Sequence, residues 1–140
     1  MMKSKKTKII LSILILIIFI LFHITSFSDI LKDDINNIAK IEIRNPGNGK
    51  LYSTTDKELI NMFITTMNSP KYLKTVDFNI PLSGTSPLFL YNAENASIAK
   101  IEYKLMFVEV NDKNYMTIGE DEEKLKTFFT ELYSDINIIE

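Results

Sequence analysis

Few side chains in these 140 residues are equipped for chemistry. There is one histidine, His23, and no cysteine. His23 falls within an apolar run. The commonest general base, the thiol nucleophile and the usual nitrogen and sulfur metal ligands are therefore missing from everything downstream. Ser97-Ile98-Ala99-Lys100 has the serine-x-x-lysine spacing of penicillin-recognising enzymes. There the serine opens a helix, whereas here it starts an alternating stretch, and the companion Lys-Thr-Gly is absent. Glu120, Asp121, Glu122 and Glu123 could hold a hard cation, but consecutive carboxylates on a helix point around the cylinder and do not converge. They fit better as the first turn of a helix, where the dipole favours negative charge.

Pro46-Gly47-Asn48-Gly49 lacks both the Lys-Ser/Thr that follows a phosphate loop and the spacing of a dinucleotide fingerprint. It reads as a hairpin turn. Asn95-Ala96-Ser97 is a glycosylation sequon, relevant only in a eukaryotic secretory setting. These residues assign no catalytic, cofactor-binding or metal-ligating role, and the chain is read as non-enzymatic with no cofactor.

The stretch around which the rest is organised is Ile9–Phe22, fourteen residues of which only Ser12 is polar, preceded by Lys3, Lys5, Lys6 and Lys8. Crossing a bilayer takes about 20 mostly apolar residues, and a signal-peptide core about 7–15. Carried on through His23, Ile24, Thr25, Ser26 and Phe27, the run reaches nineteen residues. As a helix that is about 28 Å. The expectation is an uncleaved signal-anchor, with residues 9–27 in the lipid bilayer. The alternative is secretion after cleavage near Ser28, since Ser26 and Ser28 are small at the two required positions. Without cysteine a lipoprotein anchor is excluded. The lysines place the N-terminus in the cytoplasm and the bulk outside, a single-pass protein of the cell membrane. The domain reading follows: residues 1–28 the membrane segment, 29–37 a polar stalk, and 38–140 an extracytoplasmic domain.

Of 16 basic and 18 acidic residues, setting aside the four N-terminal lysines leaves 12 against 18, a net charge of −6 for the remainder. That sign excludes a nucleic-acid partner on electrostatic grounds. With no disulfides, packing alone has to hold the fold.

Within the outer part, Ala39, Ile41 and Ile43 alternate with Lys40, Glu42 and Arg44, a half-buried strand with one wet face. Lys50 to Ser53 is the return strand. Thr55 and Glu58 are spaced as a capping box. The helix behind them carries Leu59, Ile60, Phe63, Ile64 and Met67 on one stripe and stops at Pro70. Alternation returns at Lys74 to Ile80, and a hydroxyl-rich loop spans 81–87. Leu88 to Tyr91 is apolar on both faces. Ser97 to Leu105 alternates until the parity changes at Leu105-Met106, which predicts a β-bulge or sharp bend before Val108 and Val110. Asn111 to Asn114 turns into Tyr115 to Ile118. Gly119 opens a last helix with Leu125, Phe128, Phe129 and Leu132 on its apolar stripe. The order is β-β-α-β-β-β-β-α: an α+β fold with an antiparallel sheet of five or six strands and two amphipathic helices.

The N-terminal apolar segment, the Ile-x-Ile strand at 41–43, the helix opened by Thr55-Asp56-Lys57-Glu58-Leu59-Ile60 and the terminal helix ending in Leu132-Tyr133 resemble small membrane-anchored or lipoprotein-like extracytoplasmic domains of unknown function from low-GC Gram-positive bacteria. The resemblance covers about residues 38–133 and lacks the lipoprotein cysteine. It implies a location in the bacterial envelope and a fold, and carries over no functional residue.

The function expected is a membrane-tethered, non-catalytic binding module with a protein partner in the envelope. The alternatives are a carboxylate-dependent hydrolase of envelope polymers and a toxin-immunity protein. If both helices pack on one side of the sheet, Phe89, Tyr91 and Phe107 form the partner patch on the other. Otherwise a helix lies on each face, or Ile136, Ile138 and Ile139 fold back as a lid.

Overall fold

Two periodicities build this molecule, period 2 in the strands and about 3.6 in the helices, and both point their apolar positions at one shared layer. The computed structural model describes residues 2–44, 48–75, 86–104, 107–119 and 122–135. The elements are α1 (Met2–His23), β1 (Ile24–Thr25), α2 (Phe27–Leu31), a 3-10 turn (Lys32–Asn37), β2 (Lys40–Arg44), β3 (Leu51–Thr54), α3 (Lys57–Asn68), β4 (Lys71–Lys74), β5 (Leu88–Tyr91), β6 (Ser97–Lys104), β7 (Phe107–Val110), β8 (Lys113–Ile118) and α4 (Glu122–Asp135). The strands make one sheet in the order β1-β4-β8-β7-β6-β5-β2-β3, each neighbouring pair antiparallel.

The α+β class stands, but the expected five or six strands and two helices do not: the described residues form eight strands and four helices. Two of the added strands are short. β1 is two residues at the end of an apolar run, and β4 is four residues directly after Pro70, so neither is long enough to show alternation. The β-bulge or sharp bend expected at Leu105-Met106 falls on residues outside the described ones, but the single long strand is replaced by two: Lys104 pairs with Phe107 and Ile101 with Val110 across antiparallel β6 and β7. A change of parity marks a hairpin as readily as a bulge. The register shift that does occur lies between Leu90 and Tyr91, where β5 meets β6. Most of the strand expected at 74–80 and of the loop at 81–87 lies outside the described residues, as do Glu120, Asp121 and residues 136–140.

Local chemistry explains the element ends. Asp56, not Thr55, caps α3: its carboxylate accepts from the Glu58 and Leu59 amides at 2.8 and 3.4 Å. Thr54 supports that arrangement by accepting from the Asp56 amide at 3.1 Å. At the β7–β8 turn Asn111 and Asp112 hold φ of 49° and 63°. Two successive left-handed residues match the twist of a two-residue hairpin. Asn111 also secures β6, its side chain accepting from the Lys100 amide and its own amide donating to the Lys100 carbonyl, both at 2.9 Å.

The core lies on one face of the sheet. Ile41, Ile43, Leu88, Leu90, Ala99, Ile101, Val108 and Val110 are buried there against Phe27, Leu31 and Ile35 of the N-terminal turns, Ile60, Phe63 and Met67 of α3, and Leu125 and Phe129 of α4. Tyr103 stacks on Phe129 with ring centroids 4.9 Å apart. The Tyr72 hydroxyl donates to the Met67 carbonyl and ties β4 to the end of α3.

The membrane placement has to be corrected. α1 ends at His23; Ile24 and Thr25 leave the helix and pair with Leu73 and Tyr72. Ser26 caps α2, and Phe27 is wholly buried. The apolar run therefore does not continue as helix to residue 27. Ile9 to His23 is fifteen residues, or about 22 Å of helix against roughly 30 Å of hydrocarbon. Among the described residues no helix is long and apolar enough to cross a membrane. The single-pass placement, with its cytoplasmic N-terminus and outer domain, falls with that. A cut near Ser28, the alternative, would remove Phe27 from the core. Residues 29–37, read above as a stalk, form α2 and the 3-10 turn, with Leu31 and Ile35 buried.

Candidate functional site

Cross-strand register decides what each face of the sheet presents. The helices that follow α1 all send buried side chains to the Ile41–Leu90–Ala99 face. On the other face β2 presents Lys40 and Glu42, β5 presents Phe89 and Tyr91, β6 presents Lys100, Glu102 and Lys104, and β7 presents Phe107 and Glu109. Phe89, Tyr91 and Phe107 thus share that face, and each is partly exposed.

They do not adjoin as one patch. Phe89 pairs with Lys100 and Phe107 with Lys104, on opposite sides of β6 and four residues apart along it. That separates them by about 13 Å in the strand direction alone. A charged cluster fills the gap. Lys100 meets Glu102 at 2.6 Å, and Lys104 meets Glu109 at 2.6 Å and Glu102 at 3.5 Å. Glu102 and Glu109 stand directly opposite one another. Two facing carboxylates are the minimum for glycoside cleavage, but one of them must then keep its proton. Here partial burial pushes the Glu102 carboxyl up, while Lys100 and Lys104 outweigh it and hold the group below the usual range. Lys100, Glu102, Lys104 and Glu109 thus form one linked ion cluster.

Beside Phe89, the Lys40 ammonium lies 2.8 Å from Glu42 and 4.4 Å from the Tyr91 ring centre. Lys40 lowers the Glu42 carboxyl; burial, and then the Glu42 charge, raises the Tyr91 hydroxyl. Ser97 and Lys100, the pair with enzyme-like spacing, lie on β6, where Lys100 is engaged by Glu102. His23 closes α1 with Nδ1 2.7 Å from the Phe19 carbonyl. Among the described residues no group of acidic or imidazole side chains is placed to hold a metal ion.

Two further apolar features are exposed, and the first of them was not foreseen. One is a groove of about 260 Å³ between β2–β3, α3 and α4, walled by Ile41, Ile43, Tyr52, Leu59, Phe63 and Phe128 among others. Leu59 and Met62 at its edge are 44% and 50% exposed. Leu59 belongs to the apolar stripe of α3 yet stays out of the core, a signal that periodicity alone cannot give. The other is α1, where the large apolar side chains from Ile9 to Leu21 are 41–66% exposed.

Compared with protein-family models, with curated proteins and with solved structures, the chain matches none.

Proposed function

We propose that the protein is a non-catalytic interaction module that seats on lipid through α1. The observation that carries this is the exposure of α1 on every side. Ile9, Ile10 and Leu11, then Ile13 through Leu21 without a break, are all exposed. Successive helical residues lie about 100° apart, so an unbroken exposed run is apolar around the whole cylinder. A protein groove covers one side of a helix, whereas lipid covers all of it. Leaving such side chains in water forgoes roughly 1.5–3 kcal/mol each. Lys5, Lys6 and Lys8 are exposed at the polar end, where their stems can reach headgroups. The folded remainder, with its groove and charged sheet face, is what the helix holds at that surface.

Flotation of the full chain with phosphatidylcholine vesicles tests the reading. The protein should rise with the vesicles and stay with them in high salt, because the contact is apolar. Ile13→Glu with Ile17→Glu should cut the bound fraction at least about tenfold, a carboxylate in hydrocarbon costing about 2.5–3.5 kcal/mol. A full chain that stays at the bottom of the gradient, or that binds equally well with both substitutions, would sink the idea.

A further inference from the structure

Beyond the helix, the open face of the sheet carries a row of apolar side chains that starts at the root of α1. Ile24 of β1 pairs with Leu73 of β4, Leu73 with Met116 of β8, and Met116 with Phe107 of β7. Directly paired residues project to the same face. With strands about 4.8 Å apart, the four make a row about 14 Å long. All four are only partly buried. Ile118, two residues from Met116 on the same face, is 36% exposed and has Lys71 opposite it. The row ends at Lys104, the partner of Phe107, whose ammonium is held by Glu109 and Glu102. Apolar surface therefore runs from Ile24 to Phe107 and stops at a charged border.

We infer that this row is a second lipid contact, resting at the headgroup–acyl boundary beside the inserted α1. The inference builds on the lipid reading of α1. What selects lipid over a protein is continuity: Ile24 follows His23 by one peptide bond, so any layer that takes up the helix is within reach of the start of the row. Exposed Lys71, on the same face, is placed to meet phosphate groups. The Lys104–Glu109–Glu102 cluster marks where the face turns back to water. Contact along the row would orient the domain on the membrane surface and leave the groove on its opposite side open.

The chain has no tryptophan, so a single introduced one reports its own surroundings. Full-length Phe107→Trp, Met116→Trp and, on the helix side, Leu59→Trp are each bound to phosphatidylcholine vesicles containing brominated acyl chains, with flotation measured on the same samples. Side chains at that boundary sit about 5–10 Å deep. Phe107→Trp and Met116→Trp should lose about half their emission and shift to the blue, and Leu59→Trp should do neither. Flotation without quenching at 107 and 116 overturns the second contact and leaves the α1 reading standing. Failure to float overturns both. Blue-shifted emission at 107 before vesicles are added, together with a dimer in light scattering, assigns the row to a second copy of the chain and overturns the lipid assignment.

Discussion

Phe27 meets Phe63 edge-to-face, with ring centroids 6.0 Å apart and planes at 88°. One ring stands four residues after α1 and the other in the middle of α3. This contact locks the N-terminal segment into the domain, with Ser28 adding amide and hydroxyl hydrogen bonds to Asn68 at 2.9 and 2.8 Å. Phe27→Ala should lower stability by about 3–5 kcal/mol, the usual cost of emptying a fully buried aromatic site. Urea unfolding of the full chain followed by near-ultraviolet circular dichroism measures it. A loss below about 1 kcal/mol would mean that Phe27 is not part of the core.

Tyr72→Phe should lower stability by about 1–3 kcal/mol, because the Met67 carbonyl loses its buried donor. Burial pushes the Tyr72 hydroxyl above its ordinary value, with Tyr103 adding to the shift. A raised folded value means stability that is fully present below the unfolded pKa of about 10 and lost as pH climbs through the folded one. An ultraviolet titration of the six tyrosines should therefore include a step that appears only on unfolding, and that step should vanish in Tyr72→Phe.

Lys104→Met should cost about 1.5–3 kcal/mol at neutral pH, since it leaves Glu102 and Glu109 facing each other without the ammonium between them. Glu102 is held low in the fold, so its contribution is present above the ordinary carboxylate range and disappears as pH falls through the folded value. The wild-type chain should thus lose stability on acidification. The Lys104→Met difference should shrink between about pH 6 and pH 3, as protonation removes the repulsion. A difference that stays constant across those pH values would show that the ion pair contributes nothing.

Asp56→Ala should destabilise by about 1 kcal/mol and Thr55→Ala by much less, because the Asp56 carboxylate is the group on the α3 amides. Thermal unfolding of the two variants side by side distinguishes this cap from the Thr55–Glu58 box. Equal losses would restore the box.

Much of the architecture is legible in the residues alone. Alternation located β2 and β6, and the apolar stripes of α3 and α4 named Ile60, Phe63, Met67, Leu125 and Phe129, which are buried. These signals are local, because period and capping act within a few residues. The candidate surface was less legible. Phe89, Tyr91 and Phe107 share a face as parity implies, but whether Phe107 adjoins Phe89 depends on the register of β6 with β5 and β7, which hydrophobic pattern does not set. Ile24, Leu73 and Met116 were not singled out, since three strands distant in sequence must pair before they form a row.

The apolar run at the N-terminus divides the two kinds of information most clearly. Composition by itself determined that Ile9 to Phe22 would be helical and would want apolar surroundings. Only the tertiary structure decided where that helix ends. Ile24 and Thr25 satisfy their backbone groups on β4, and Phe27 fills the space beside Phe63 and Tyr72. A residue of the same hydrophobicity belongs to lipid or to the core according to which surface is within reach, and hydrophobic burial has no direction of its own.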